Sequence, residues 1–253
     1  MAFDLSGRAA LVTGSSRGIG RAIAHALAEA GATVAVHGRS NSDALQTAHA
    51  EVAALAPKAA VVVGDLIDSA SARRIVDTAA EELGRLDILV NNAGLVVPRT
   101  ADEMDEETWD AVVGINLRAA FFCAQAASRH MRLNGFGRII NISSQGGEVA
   151  IPTYVHYGVS KAGLNVMTRY LAVEWAPHGI TVNAVAPAFV RTDLTAEVFA
   201  QLPDLYEDQL SRVPKRRMCE PAEVAAAVLY LASHEADFTT GEVLHVDGGY
   251  LAL

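Results

Sequence analysis

The sequence predicts an α/β fold, a doubly wound parallel sheet of about seven strands with helices on both faces. Seven apolar stretches, near 9–13, 32–37, 59–64, 86–90, 138–142, 180–186 and 242–246, alternate with segments of helical period. Buried parallel strands joined by crossover helices produce that alternation. The stretch "RAALVTGSSRGIGRAIAHALAEAGATVAVHGRS" adds a second observation, because it runs apolar strand, glycine turn, helix, apolar strand. That order is the layout a dinucleotide site needs. A third is size. With 253 residues and 51% hydrophobic composition, the chain can build one large domain and is too short for a dinucleotide domain plus a separate substrate domain. A single domain over residues 1–253 is expected to do everything.

The first strand, 9–13, ends at Gly14, which can leave it in a conformation that a side chain would forbid. Gly18 lets the backbone approach a diphosphate, and Gly20 lets the following helix pack close to the sheet. Free amides at the helix start then face the phosphates. The spacing is Gly-x-x-x-Gly-x-Gly rather than the commoner Gly-x-Gly-x-x-Gly, which implies a different subfamily. The Ala-rich segments 22–30 and 119–128 suit helices packed closely against neighbours, and Gly31 suits a helix end.

Past the strand at 138–142 stand Ser143 and Ser144, and then "YGVSK" with Tyr157 and Lys161. Residues four apart share a helix face, so on a helix the Lys161 ammonium would sit beside the Tyr157 phenol and favour its ionised form. Bringing a phenol from a pKa of about 10 to near 7 needs about 4 kcal/mol of preferential stabilisation, more than one exposed ion pair supplies. The oxidised ring of a bound nicotinamide carries a second positive charge, and this links the tyrosine to the glycine turn. The stretch 188–218 is the least regular, with Pro203 and Pro214 between the strand at 180–186 and a helix opening at Pro221, and it reads as a substrate-covering lid. Within it Phe189, Leu194, Val198, Phe199, Leu202 and Leu205 suggest either a partly apolar pocket wall or the packed side of a lid helix.

Taken together, "TGSSRGIG", "NNAG" at 91–94, Asn116, Ser144, Tyr157-x-x-x-Lys161 and "VDGG" at 246–249 resemble the classical short-chain dehydrogenase/reductases, in the family's order and over nearly the whole chain. The resemblance implies a Rossmann-type fold and hydride transfer between a nicotinamide and a carbinol carbon. It implies a catalytic set of Asn116, Ser144, Tyr157 and Lys161. Tyr157 would pass the proton, Ser144 would hydrogen-bond the reacting oxygen, Lys161 would bind the nicotinamide ribose, and Asn116 would hold a water linking Lys161 to solvent. Around the cofactor it implies Gly14, Ser16, Arg17, Gly18, Ile19 and Gly20 at the phosphates, and Asp65 and Leu66 at the adenine. Asn92, Ala93 and Gly94 would line the groove, and Pro187, Val190 and Thr192 would stand at the carboxamide. After "NAVAP" the family usually has glycine where this chain has Ala188.

Gly38 stands where NAD-preferring members carry aspartate, and Arg39 follows where NADP-preferring members often carry arginine. With Arg17 it could clamp a 2'-phosphate, so NADP(H) is expected and NAD(H) stays possible. Tyr154 stands seven residues before Lys161, as in the family's enoyl-reductase branch. That branch has a differently spaced glycine turn and would leave Ser144 and Tyr157 without roles.

A small-molecule carbonyl or alcohol substrate is expected. The layout resembles 3-oxoacyl-carrier-protein reductases, and the opening and closing segments resemble sugar-acid or polyol dehydrogenases, gluconate dehydrogenases among them. A cofactor-binding regulator without catalysis is the alternative of another class. Relatives' habits imply a homotetramer through the helices holding Asn116 and Tyr157 and through the C-terminal segment.

A formal charge of -9 argues against nucleic acid and anionic membranes, and Lys215-Arg216-Arg217 reads as a solvated loop. No apolar run reaches the 18 to 20 residues of a membrane span, and "MAFDLSGR" lacks a signal peptide's regions, so a cytoplasmic location is expected. Cys123 and Cys219 have no metal-type spacing, so neither a metal site nor a disulfide framework is indicated.

Overall fold

The computed structural model describes residues 3–56, 58–201 and 203–252. Among them seven strands form one sheet: β1 (Ala9–Val12), β2 (Thr33–Gly38), β3 (Ala59–Val63), β4 (Ile88–Asn91), β5 (Gly137–Ile142), β6 (Ile180–Pro187) and β7 (Val243–Val246). The order is β3-β2-β1-β4-β5-β6-β7, and every pair is parallel. The chain therefore builds outward from β1 on one side and from β4 on the other. A crevice opens where the two directions part, beyond the carboxyl ends of these strands, which is where such sheets bind ligands.

Side chains alternate across the sheet, so consecutive strand residues feed two separate cores. Ala10 and Val12 join Val34, Val90 and Ile140 in one, beneath α1 (Gly18–Glu29) and α9 (Pro221–Ala232). Ala9 and Leu11 join Ala35, Leu89 and Ile139 in the other, beneath α3 (Ser69–Leu83), α5 (Ala120–Asn134) and α6 (Val155–Trp175). Burial on both faces is why these strands read as continuous apolar runs. The remaining crossover elements are α2 (Asp43–Leu55) and α4 (Glu106–Val113).

One expectation is corrected here. The segment 188–218 is not irregular. It holds α7 (Asp193–Gln201) and α8 (Pro203–Ser211). Pro203 opens a helix, where its missing N–H costs nothing, instead of breaking one. Residues Glu106–Asn134 form one continuous helix of 29 residues, α4 running through a π-helical turn (Gly114–Ala119) into α5, and it is long and apolar enough to cross a membrane. Its apolar side belongs to the core, with 56% of its most apolar window buried.

Candidate active site

A cleft of about 750 Å³ lies along the carboxyl ends of the strands and gathers almost every residue singled out from the sequence. Its floor at one end is the turn from Gly14 to Gly20, with Ser16, Arg17, Gly18 and Ile19. Gly14 and Gly18 take positive φ of 63° and 56°. A Cβ on Gly14 would stand 2.9 Å from Ala93 Cα, and one on Gly20 would overlap Asn92 Nδ2 and the Gly14 carbonyl oxygen. The loop after β4 is bolted to this turn, since Asn92 Nδ2 donates to the Thr13 and Gly14 carbonyls at 2.9 Å and Thr13 Oγ1 accepts from the Asn92 and Ala93 amides. Asn92 therefore spends its amide on the turn while Ala93 and Gly94 continue the wall. At the start of α1, Arg17 is the N-cap without a side-chain cap bond, and no acidic residue occupies the first turn. The first amides are left for an anion.

Arg17 and Arg39 are both exposed at the edge of this end, and neither forms an ion pair among the described residues. Gly38 is buried, and a Cβ there would meet Leu45 Cδ2 at 3.1 Å, so a carboxylate would crowd that side chain. Asp65 and Leu66 line the neighbouring wall, with Asp65 Oδ1 accepting from the Ile67 amide at 3.0 Å. Sequence reasoning passed over His37. The Gly14 N–H donates to its Nδ1 at 3.1 Å, and its Nε2 lies 3.0 Å from the Gly64 carbonyl. Nδ1 accepts, so Nε2 carries the hydrogen, and burial holds the imidazole pKa below its ordinary value. The signal was present as a polar residue ending an apolar strand.

At the other end Tyr157 and Lys161 share a face of α6, opposite Ser144 at the end of β5. Ser144 is extended, its Oγ accepts from the Gly146 amide at 3.1 Å, and Gly146 brings it beside the Tyr157 ring, a Cβ there lying 3.5 Å from both Ser144 Oγ and Tyr157 Cε1. Burial pushes the phenol pKa up, and the neighbouring Ser144 hydroxyl only pulls it partway back. The expected depression by Lys161 is therefore not present in the protein alone. Lys161 Nζ donates to the Ile142 carbonyl at 2.7 Å and stands 5.6 Å from the Tyr157 ring centroid, and burial pushes its own pKa down to about 8.

Asn116 is the predicted catalytic residue that does not line the cleft. It is buried in the π-helical turn, where its Oδ1 accepts from the Leu95 amide at 2.7 Å and its Nδ2 donates to the Leu95 carbonyl and to Ser160 Oγ. Ser160 in turn donates to the Tyr157 carbonyl at 2.7 Å. The amide thus joins the cleft wall to α6, while its oxygen keeps a second lone pair for the expected water.

Pro187, Val190 and Thr192 line the cleft beside the glycine turn, and Thr192 Cγ2 would lie 3.3 Å from a Cβ on Gly18. Ala188 has no positive φ, so its methyl group is accommodated without strain. The lid residues prove to be both wall and packing. Phe189, Val198 and Phe199 line the cleft, while the Phe189 and Phe199 rings lie 5.6 Å apart and Phe199 stacks on Tyr206 at 4.1 Å. Leu202 lies outside the described residues, as do the side chains of Leu194 and Leu205. Tyr154, weighed above as a rival to Tyr157, also lines the cleft, as do Gln145 and Gln209, which were missed because no periodicity distinguishes them.

The family model described as enoyl-(acyl carrier protein) reductase matches residues 14–251. The 3-oxoacyl-[acyl-carrier-protein] reductase FabG of Aquifex aeolicus (strain VF5) is 40% identical over 249 residues, 98% of this chain and 99% of that one. A structure from Sinorhizobium meliloti 1021, provisionally assigned as a short-chain alcohol dehydrogenase, superposes with a TM-score of 0.94 at 46% identity, covering 99% of this chain and 98% of the other. Another, from Beutenbergia cavernae, is provisionally assigned as an NAD(P)-dependent gluconate 5-dehydrogenase and holds NADP at low occupancy. Its TM-score is 0.93 at 38% identity, with 99% of both chains covered.

Proposed function

Because the chain belongs to the short-chain dehydrogenase/reductase family, we propose that it is an NADP(H)-dependent oxidoreductase interconverting a ketone and a secondary alcohol, with Tyr157 as the acid/base. The observation that carries this reading is one continuous cleft with two unpaired guanidiniums at one end and the Ser144–Tyr157–Lys161 group at the other. The glycine turn fits the cofactor, since it leaves no room for side chains and presents the uncapped amides of α1. Ser16, Gly18 and Ile19 would hold the diphosphate and Arg17 and Arg39 the 2'-phosphate. Asp65 and Leu66 would flank the adenine, and Pro187, Val190 and Thr192 the carboxamide. NAD(H) would lose the two arginine contacts.

When bound, the nicotinamide supplies or accepts the hydride, and its oxidised ring adds positive charge beside Tyr157. In reduction Tyr157 gives its phenolic proton to the carbonyl oxygen, and in oxidation it takes the proton back. Ser144 donates a hydrogen bond to the same oxygen as charge develops. Lys161 holds the nicotinamide ribose hydroxyls, and Asn116 keeps Leu95 and the Tyr157 turn in place. Enoyl reduction is disfavoured because the glycine turn has a different spacing from that branch and because the Ser144 hydroxyl acts on the Tyr157 phenol and not on that of Tyr154.

The lid, residues 188–218, closes over the substrate. The names of relatives divide between an acyl-carrier thioester and a sugar acid. We also infer a homotetramer, supported by an exposed apolar stripe on α6, and a cytoplasmic location. The test follows absorbance at 340 nm with NADPH and with NADH against a β-ketoacyl thioester, 5-ketogluconate, a diketone and a ketosteroid. NADPH is expected to be used at least tenfold more efficiently. Tyr157→Phe is expected to abolish turnover while binding NADPH, and wild-type-like turnover in that variant would sink the mechanism.

A further inference from the structure

The lid is tied to the rest of the molecule at few points. Its two ends are clasped together, since the Cys219 N–H donates to the Phe189 carbonyl at 2.8 Å and the Arg191 N–H to the Cys219 carbonyl at 2.9 Å. Between them, from Asp193 to Pro214, every hydrogen bond among the described residues stays within the lid except the one that Gln209 Oε1 accepts from the Tyr250 hydroxyl. Among the described residues, neither α7 nor α8 packs broadly on any element but the other.

Tyr250 stands on the turn that follows β7. Asp247 fixes this turn by accepting from the Gly249 and Leu251 amides at 2.9 Å. The turn lies close against the outgoing end of the lid, for a Cβ on Gly248 would stand 2.9 Å from Val213 Cγ1 and one on Gly249 3.1 Å from Pro214 Cγ. The Lys215 N–H donates to the Gly248 carbonyl at 3.3 Å. Tyr250 itself is buried and does not line the cleft. It stands behind two residues that do. Its ring meets Phe189 edge-on with centroids 6.3 Å apart, and its hydroxyl meets Gln209. Phe189 precedes α7 and Gln209 lies in α8, so one side chain braces both ends of the lid wall.

The direction of the Tyr250 bond follows from its neighbour. Gln209 Nε2 donates to Asp208 Oδ2 at 2.9 Å, and a carboxylate only accepts, so the amide oxygen faces the phenol and the phenol donates. Burial holds the Tyr250 pKa above its ordinary value, which keeps that proton in place. Gln209 is buried as well, so without this donor its oxygen goes unpaired unless α8 moves to admit water.

We infer that Tyr250 is the latch of the lid, a positioning residue whose hydroxyl holds α8, and with it Gln209, in the wall at the substrate end. It acts through Phe189 and Gln209 and not on the reacting atoms, so its loss is felt in substrate capture and not in the chemical step. The inference rests on the oxidoreductase reading for what the lid closes over.

The test is Tyr250→Phe, which removes one oxygen and keeps the ring against Phe189. In the NADPH-bound protein, hydrogen exchange is expected to quicken by about five- to tenfold in peptides spanning α7 and α8 and to stay at the wild-type rate in the strands β1 to β5. KM for whichever of the carbonyl compounds named above is reduced is expected to rise by about five- to tenfold, with kcat and the Kd for NADPH unchanged. Adding Gln209→Met to Tyr250→Phe is expected to raise KM no further than Gln209→Met alone, because both remove the same bond. Wild-type exchange in the lid or a wild-type KM overturns the latch and leaves the oxidoreductase reading intact. Additive effects of the two substitutions overturn it too, as does a loss shared by kcat, KM and NADPH binding, which marks a merely structural role. If none of the compounds consumes NADPH that is demonstrably bound, the oxidoreductase reading falls and takes the positioning role with it.

Discussion

His37 joins the Gly14 amide to the Gly64 carbonyl, and thereby ties the glycine turn to the end of β3. This arrangement requires a neutral ring, because a protonated Nδ1 could not accept from Gly14. Burial keeps the folded-state pKa below the ordinary value of 6.5, so the unfolded state takes up a proton first as pH falls. The stability His37 contributes is therefore complete above pH 6.5 and is lost progressively below it, with a limiting slope of about 1.4 kcal/mol per pH unit. His37→Asn retains an acceptor near Nδ1 and cannot be protonated. Urea denaturation from pH 7.5 to 5.5 should show a shallower loss for this variant than for the wild type, and parallel curves would refute the assignment. Lys161 shows the same desolvation on a cation, and its pKa of about 8 is held beside Tyr157 with a proton already spent on Ile142.

Elements place these side chains through features that periodicity does not reveal. The π-helical turn Gly114–Ala119 widens a long helix and directs Asn116 toward Leu95 and Ser160, into the joint between the cleft wall and α6. α6 buries Ser160, Lys161, Asn165 and Thr168 along with Leu164, Leu171, Ala172 and Trp175, while Val155, Val159, Val166, Tyr170 and Val173 are exposed on its other side. Asn165 accepts from Ser143 at 2.6 Å and donates to Glu148 at 2.9 Å, which clamps the residues flanking Ser144 onto the helix that carries Tyr157. In the lid, α7 leans on α8 through the stacked Phe199 and Tyr206 rings, a contact worth about 1 kcal/mol. Phe199→Ala should leave global stability nearly unchanged and raise KM for an aromatic ketone by about tenfold, with a smaller change in kcat. An unaltered KM would mean that the lid does not meet the substrate.

For the whole molecule, the outer side of α6 means that a single copy leaves an apolar stripe in water, with Tyr170 75% and Val173 80% exposed. A second copy of the same face is the economical cover, because a twofold interface is self-complementary. Light scattering should give four times the mass of one chain, and Tyr170→Glu with Val173→Glu should lower it. A monomeric wild type would contradict the assembly. The seven strands were legible in the chain because burial on both faces makes them uninterrupted apolar runs. The glycine turn and the Tyr157–Lys161 spacing were legible because their chemistry demands fixed residue types at fixed separations. By itself, then, the sequence determined the sheet, the glycine turn and the placing of Tyr157 and Lys161 on one helix face. Only the tertiary structure decided that Pro203 opens a helix, that Lys161 bonds the Ile142 carbonyl, that Asn116 bonds Leu95 and Ser160, and that His37 and Gln145 line the cleft. The reason is physical. A strand pattern depends on local burial, whereas the partner of a side chain, and its desolvation, depend on which distant segments the folded chain brings against it.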